Sequence, residues 1–248
     1  MKSKEFLKTL LLQVGALRYA NRSSKVIYYH DLHSKKRYTD MSTPIDLFKK
    51  HIDIAKKMGY RFVSDISSEE SELEVTFDDG FRGLYENFDL FIENKIKIRL
   101  FMVSDFIGKE GYLKTSELEE MLKSGLLEIG SHGKSHNNFD QLSEDELKAE
   151  LKESKTVLEE ITQKPIDTLC FPRGRFNDMA IKIAQDIGYK KLYSCLPGPY
   201  YENFKANLIN RSLVQHATTK QFKAILLGGD RIYHKRYLAM HYNMDGRR

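Results

Sequence analysis

The chain has 248 residues, of which 41% are hydrophobic, 30% are charged and two are cysteine. This composition excludes a disulfide-stabilised miniprotein, which needs more cysteines, and an intrinsically disordered chain, which has fewer aliphatic and aromatic residues. The formal net charge of the chain is +5, made up of +5 in residues 1–25, −3 in residues 26–229 and +3 in residues 230–248. The middle of the chain therefore lacks the basic stripe that is typical of a nucleic-acid-binding protein.

Residues 1–25 are predicted to form an amphipathic helix. The most apolar run, residues 9–17, contains Gln13 and Gly15 and is shorter than the ~20 residues that cross a bilayer. It resembles the apolar region of a signal peptide, but no small-residue cleavage site follows it. We therefore expect the helix to pack on the body through an apolar face. That face would comprise Phe6, Leu7, Leu10, Val14 and Leu17.

From residue 26 to residue 228 the sequence alternates strand and helix patterns. Predicted strands cover 26–29, 60–63, 73–77, 98–103, 126–129, 168–171, 191–195 and 208–214, and predicted helices cover 44–58, 84–93, 116–123, 144–161, 178–187 and 218–227. Seven or eight such units predict an α/β fold with a mostly parallel sheet and outer helices, in one barrel-like domain. Residues 229–248 are expected to form a basic tail outside it.

Polar and ionisable residues follow the ends of four predicted strands, at positions 30–31, 78–79, 131–132 and 172–173. In parallel α/β folds the chemistry is located where strands end and loops begin. We therefore expect these four segments to meet at one edge of the sheet.

Two of these segments carry groups that bind metal ions. Asp78 and Asp79 are adjacent at a strand end, so they share a pocket only if the backbone turns there, which Gly80 permits. A divalent cation would relieve the repulsion between the two carboxylates. His132 and His136 offer imidazole nitrogens, and two histidines with one carboxylate form a catalytic zinc set. Each motif alone is also compatible with an acidic turn or with surface histidines.

Three segments together resemble the polysaccharide deacetylase family (carbohydrate esterase family 4, the NodB homology domain). They are TFDDG at residues 76–80, SHGKSH at 131–136 and FPRGRFN at 171–177, and their order and spacing agree with the family. Residues 26–31 and 58–60 are similar to the family's N-terminal part. The resemblance therefore covers residues 26–228.

The resemblance implies a distorted (β/α) barrel that binds one divalent metal ion, most often zinc. By position, Asp79, His132 and His136 would be the metal ligands and Asp78 the general base. The backbone N–H of the third motif that would stabilise the oxyanion is that of Arg173. The implied reaction hydrolyses the acetamide of an N-acetylated sugar in a polysaccharide or a glycan precursor. The residues of the third motif expected at the substrate are Phe171, Pro172 and Arg175.

The third motif departs from the family at the arginine that normally holds the base. Cys170 occupies the arginine position, and Arg173 occupies the position of a tyrosine. We expect Arg173, Arg175 or Arg211 to replace the missing arginine.

The general acid is the second departure. The family's late Leu-x-His motif, which supplies this acid, is not evident in the sequence. His216 lies in the corresponding region, and His30 follows the first predicted strand. Either is a candidate acid, and either also fits a structural or surface histidine.

Three functions stay open on the sequence. The first is a metal-dependent deacetylase of an N-acetylated glycan or a lipid-linked sugar. The second is a non-sugar C–N amide hydrolase of the same fold, and the third is a glycan-binding relative with impaired catalysis. Neither nucleic acid nor an obligate protein partner is predicted. The basic ends fit either peripheral contact with an anionic membrane or packing on the barrel, so a cytoplasmic and a cell-envelope location both stay open.

Overall fold

A curled sheet of nine parallel strands organises the chain, which a computed structural model describes over residues 2–243. The sheet runs in the order β10-β9-β8-β7-β6-β5-β1-β11, with β4 also paired to β5, and β2 and β3 form a separate parallel pair. The prediction of a distorted (β/α) barrel is confirmed, and all eight predicted strand segments belong to the large sheet. The strands are β1 Lys25–Tyr29, β2 Asp31–His33, β3 Ser42–Pro44, β4 Arg61–Val63, β5 Glu72–Asp79, β6 Ile98–Met102, β7 Leu127–Ser131, β8 Thr168–Cys170, β9 Lys191–Tyr193, β10 Leu208–Ile209 and β11 Ser212–Leu213.

Helices connect most of the strands, and most of these helices bury an apolar face. The predicted helix 84–93 is two short helices, because the Asn87 side chain donates to the carbonyl oxygens of Gly83 and Leu32 and interrupts the helical pattern there. The helices are α1 Lys2–Arg18, α2 Ile45–Lys57, α3 Gly83–Glu86, α4 Asp89–Asn94, α5 Thr115–Lys123, α6 Glu144–Thr162, α7 Asp178–Ile187, α8 Thr219–Leu226 and α9 His234–His241.

The predicted N-terminal helix is present as α1, but its predicted contact face is wrong. The helix packs through Leu12, Gly15 and Ala16, which are buried. A Cβ atom at Gly15 would lie 2.2 Å from the carbonyl oxygen of Gly229, so two glycines bring the backbones together and select this face. The side chains predicted to face inward are exposed instead, and they are Phe6, Leu7, Leu10, Val14 and Leu17.

The C-terminal segment lies against α1 and the third motif. Residues 229–233 form a 3₁₀ turn that leads into α9. Phe176 pairs with this segment through backbone hydrogen bonds to His241 and Asn243, both of 3.0 Å. Residues 1 and 244–248, which belong to the predicted terminal segments, lie outside the described residues.

The concave face of the sheet is unusually polar and carries the strand residues that build the site. Glu74 and Arg99 form a buried ion pair there, with 2.8 Å between the Glu74 carboxylate and Arg99 Nε. Thr76 and Asp78 lie on the same face, two and four residues further along β5. At the edges of the sheet, β10 and β11 are separated only by Asn210 and Arg211, so one short chain segment bridges the two edges.

Candidate metal centre

Asp78 and Asp79 share one pocket because the backbone turns at the second of them. Asp79 has a φ of +72°, a left-handed conformation that non-glycine residues seldom adopt, and Gly80 follows with a φ of +92°. The Gly80 N–H donates to the Asp78 carbonyl oxygen at 2.9 Å and closes the turn. Strand alternation, which would separate the two carboxylates, therefore ends here. A Cβ atom at Gly80 would lie 2.1 Å from the Met102 sulfur, so only glycine fits.

His132 and His136 converge on Asp79. Asp79 Oδ1 lies 3.5 Å from His132 Nε2 and 3.3 Å from His136 Nε2. His132 Nδ1 donates to the Cys170 carbonyl oxygen at 2.9 Å. A carbonyl oxygen can only accept, so Nδ1 carries the proton and the Nε2 lone pair faces Asp79.

The loop that carries His136 is held by α6. Glu150 accepts the Ser135 backbone N–H at 2.6 Å and also the Ser135 hydroxyl. Gly133 has a φ of +78° and leaves room for the Phe139 ring and Glu150. These contacts place His136, whose φ is +65°, beside His132 with the rings 5.1 Å apart. The side chain of His136 is 18% exposed, against 2% for His132, so the centre opens to solvent at His136.

The electrostatics of this centre fit a bound cation. Burial, together with the neighbouring charge of Asp78, raises the pKa of Asp79 to about 7. Burial lowers the pKa of His132 to about 3 and that of His136 to about 4, which keeps both imidazoles neutral and able to ligate. Asp79 Oδ1 is buried and has no hydrogen-bond partner among the described residues. A divalent ion between these three side chains would satisfy all of these groups at once.

A second set of potential ligands, Asp78, His132 and Cys170, lies next to the first. A cationic side chain already occupies it, because Arg211 contacts both Asp78 and the Cys170 sulfur. Burial raises the pKa of the Cys170 thiol well above its usual value, so the thiolate that a metal needs is disfavoured. The first set is therefore the better metal centre.

Arg211 replaces the arginine that the third motif lacks. Its Nη1 lies 2.7 Å from Asp78 Oδ1 and its Nη2 lies 2.8 Å from Asp78 Oδ2. Nε donates to the Ser194 carbonyl oxygen, and the guanidinium lies 4.3 Å from the Tyr28 ring centroid. Burial alone would raise the pKa of Asp78, but the guanidinium lowers it to about 2. Asp78 is thus held as an oriented carboxylate.

The other two candidate arginines have different partners. Arg175 forms a two-point ion pair with Asp140, at 2.7 and 3.1 Å. Arg173 donates to the Asn138 side chain at 3.0 Å. Of the three alternatives, only Arg211 contacts Asp78.

The side chains predicted to contact substrate are largely buried. The Phe171 side chain is fully buried and stacks on Phe176, and Pro172 is also buried. With Arg175 paired to Asp140, these three residues shape the loop, and their side chains present no free group to a ligand. The loop places Arg173 at a φ of +54°, and within residues 2–243 the Arg173 N–H has no hydrogen-bond acceptor.

His30 and His216 lie in different surroundings. Burial lowers the pKa of His30, and the nearby charge of Asp78 opposes this effect, so His30 lies close to the metal centre. Its Nδ1 is hydrogen-bonded to Gln215 Oε1. His216 is exposed, and its pKa is lowered by burial and by Lys8, on the side facing α1.

Sequence reasoning missed the role of Gln215 and left Arg211 as one of three alternatives. Both residues are polar positions in or directly after the last predicted strand, 208–214. A polar residue inside an apolar strand, or directly after it, indicates a position at the site, and Arg211 and Gln215 both fit this pattern.

Comparison with known proteins identifies the family to which the chain belongs. Residues 65–192 match the family model "Polysaccharide deacetylase". The chain is 23% identical over 184 residues to Bacillus subtilis YxkH, which is named as a putative polysaccharide deacetylase. The match covers 70% of this chain and 64% of YxkH, so the chain spans less than two thirds of the length of that relative. It is 25% identical over 208 residues to a poly-β-1,6-N-acetyl-D-glucosamine N-deacetylase of Staphylococcus aureus, covering 75% of this chain and 71% of that protein. A polysaccharide deacetylase structure from Bacillus cereus superposes with a TM-score of 0.73 at 24% identity, over 83% of this chain and 69% of that one. The family match spans more than half of the chain, which therefore belongs to the polysaccharide deacetylase family.

Proposed function

We propose that the protein is a metal-dependent deacetylase that hydrolyses the acetamide of an N-acetylated sugar in a polysaccharide or a glycan precursor. The observation that carries the proposal is the pairing of Asp79, His132 and His136 with a separate carboxylate, Asp78, that Arg211 holds ionised. Similarity to a deacetylase of poly-β-1,6-N-acetyl-D-glucosamine supports a glycan substrate.

We propose zinc as the ion, bound by Asp79, His132 and His136. These residues supply one carboxylate and two neutral imidazoles, the donor set of many catalytic zinc sites. A zinc ion held by these residues would supply Lewis acidity, which would lower the pKa of water and polarise an acetamide carbonyl. Cys170 takes part through its backbone, since its carbonyl oxygen fixes the His132 tautomer.

Asp78 is the general base in this proposal. It takes a proton from the attacking water, and Arg211 orients it so that its carboxylate stays beside the reacting centre. The free N–H of Arg173 donates to the developing oxyanion.

His30 is the general acid in this proposal. Burial lowers the pKa of His30, and the charge of Asp78 partly offsets this effect by favouring the protonated imidazole. Gln215 holds its Nδ1, which leaves Nε2 to protonate the amine as the C–N bond breaks. The products are acetate and the free amino sugar.

The observed role of Arg211 also bears on the glycan-binding alternative. That alternative rests on the departures in the third motif and in the late Leu-x-His motif. Arg211 supplies the contact that the third motif lacks, from the segment between β10 and β11. A buried arginine that keeps a carboxylate ionised beside a metal centre costs desolvation energy, and catalysis is a function that uses this arrangement.

The test is acetate release from N-acetylglucosamine oligomers by the purified protein with one equivalent of zinc. We expect turnover by the native protein and none by Asp78→Asn, which should still bind zinc stoichiometrically. His136→Ala should lose zinc, whereas His33→Ala, a histidine bonded to Ser42 away from the ligand set, should retain it. Zinc binding without turnover of any acetylated sugar would refute the substrate class, and full activity of Asp78→Asn would refute the assigned base.

A further inference from the structure

We propose that the outer face of α1, together with the adjoining surface of α9, binds the surface of an anionic lipid bilayer. The inference goes beyond the reaction, and it does not depend on the proposed substrate. We call this surface the α1–α9 face. Its apolar residues on α1 are Phe6, Leu7, Leu10, Leu11, Val14 and Leu17.

The α1–α9 face concentrates exposed apolar area on one helix. Of twelve large apolar side chains exposed in residues 5–243, six lie on α1. Phe6 is 71% exposed and Leu17 is 83% exposed, and the other four are 39–54% exposed. They recur at spacings of three and four residues and therefore form one stripe along the helix. Contiguous apolar patches of this kind mark contacts with proteins or membranes.

The stripe continues onto the last helix. Leu7 and Leu11 line a groove with Tyr237 and Met240 of α9, and Met240 is 49% exposed. Arg236 lines the same groove. The apolar surface is therefore bordered by a cation on the α9 side.

The two helices that form this face are the basic part of the chain. Helix α1 contains four basic residues and one acidic residue, and α9 contains two basic residues and no acidic residue. Together they carry +5, which equals the net charge of the whole chain, so the rest of the protein is neutral overall. A polar face rich in lysine and arginine beside an apolar stripe is typical of helices that lie in the headgroup region of anionic membranes.

The same charges disfavour a second copy of the chain as the occupant. A symmetric contact through this face would bring together two copies of the same basic helices, whose formal charge is +5 in each chain, and like charges across an interface are unfavourable. An anionic lipid surface complements both the apolar stripe and the charge. Within residues 2–243, none of the helices is long and apolar enough to cross a bilayer, so the contact we propose is peripheral.

The face also neighbours the residue that holds the proposed acid. Lys8, on the flank of α1, lines a cavity with Gln215 and His216, and Gln215 is bonded to His30. A bilayer on the α1–α9 face would therefore lie on the Gln215 side of the site.

The chain contains no tryptophan, so a single introduced tryptophan reports its surroundings by fluorescence without a signal from other indoles. Leu10→Trp places one indole on the α1–α9 face, and Ile92→Trp places one at a similarly exposed position on α4. With vesicles of phosphatidylcholine and phosphatidylglycerol, we expect a blue shift of fluorescence for Leu10→Trp only. An equal shift for both variants, or none for either, would overturn the proposal.

Vesicle co-sedimentation of the 248-residue protein tests the two components separately. Leu10→Glu/Val14→Glu removes part of the apolar stripe and should lower the partition coefficient of the protein onto vesicles at least ~10-fold. Lys235→Glu/Arg236→Glu removes basic residues of α9 and should lower it by a similar factor on anionic vesicles. The matched control Ile92→Glu/Val157→Glu changes two other exposed apolar residues and should bind as the native protein does. If Leu10→Glu/Val14→Glu instead converts a dimer into a monomer while native protein ignores vesicles, the occupant is a second copy and the proposal is wrong. None of these measurements requires deacetylase activity, so the two proposals fail independently.

Discussion

Arg211 binds both carboxylate oxygens of Asp78, although the two residues are 133 positions apart in the sequence. The guanidinium is fully buried between β9 and β1 and reaches Asp78 from the last strand segment. Cys170, which takes the place of the family's arginine, accepts a hydrogen bond from the same guanidinium at 2.8 Å. The ion pair is thus kept, but its arginine comes from the segment between β10 and β11 and not from the third motif.

Replacing Arg211 should impair the base more than it impairs the fold. In Arg211→Met, burial would raise the pKa of Asp78 from about 2, so Asp78 would be protonated over a wider range of acidic pH. We expect kcat/KM to fall roughly 10²–10³-fold near neutral pH, with the acid limb of its pH profile shifted to higher pH. Arg211→Lys, which keeps the charge, should shift the limb less. If Arg211→Met lowers the thermal stability but leaves the acid limb of the pH profile of kcat/KM unchanged, Arg211 has only a structural role.

His30 and His216 should differ sharply in their effect on rate. His30→Gln should lower kcat by roughly 10²-fold or more and flatten the basic limb of the pH profile, because the proton donor is lost. His216→Gln, at the exposed position, should stay within about threefold of the native rate by the same reasoning. Gln215→Leu should give an intermediate loss, since it removes only the hydrogen bond to His30. The reverse order of effects would assign the acid to His216.

Asp31 should make stability depend on pH. This carboxyl is fully buried, both oxygens lack hydrogen-bond partners among the described residues, and burial raises its pKa from 3.8 to about 7. Its folded-state pKa exceeds the unfolded value, so its contribution is complete below pH ~4 and is lost as pH rises towards ~7, by about 4 kcal/mol. Denaturant unfolding of Asp31→Asn should therefore show a gain over the native protein at pH 8 and little difference at pH 4. Equal differences at both pH values would contradict this assignment.

Gly15 should be intolerant of any side chain. A Cβ atom there would lie 2.2 Å from the Gly229 carbonyl oxygen, so Gly15→Val must displace α1 from the 229–233 segment. We expect a loss of about 1–3 kcal/mol in the free energy of unfolding, measured by chemical denaturation. Gln13→Val introduces the same residue at an exposed position of α1 and serves as the control. A similar loss in both variants would attribute the effect to helix propensity.

The sequence predicted the sheet and the cluster of Asp79, His132 and His136 because both depend on local patterns. Each strand of the large sheet has a short apolar run that ends at a turn, and the ligands lie directly after two such runs. The sequence also indicated that a turn at Gly80 permits Asp78 and Asp79 to share a pocket. In the structure both Asp79 and Gly80 adopt the left-handed conformation at this turn.

Contacts between distant segments could not be predicted in the same way. The contact face of α1 was wrong because apolar periodicity favours the largest side chains, whereas Gly15 and Gly229 select the smallest ones by close backbone approach. Arg211 was one of three equal alternatives, since nothing local in the sequence indicates which arginine reaches the concave face of the sheet.

The bridge between β10 and β11 makes the proposed deacetylase activity a measure of complete folding. Arg211 lies within the short chain segment that joins the two edges of the sheet, and it is also the residue that orients Asp78. A folding intermediate with β1 and β5–β9 in place would have every motif residue near its final position and still lack a functional base. Contacts of such high sequence separation form slowly, so enzymatic activity should appear only with the last step of refolding, after most secondary structure has formed.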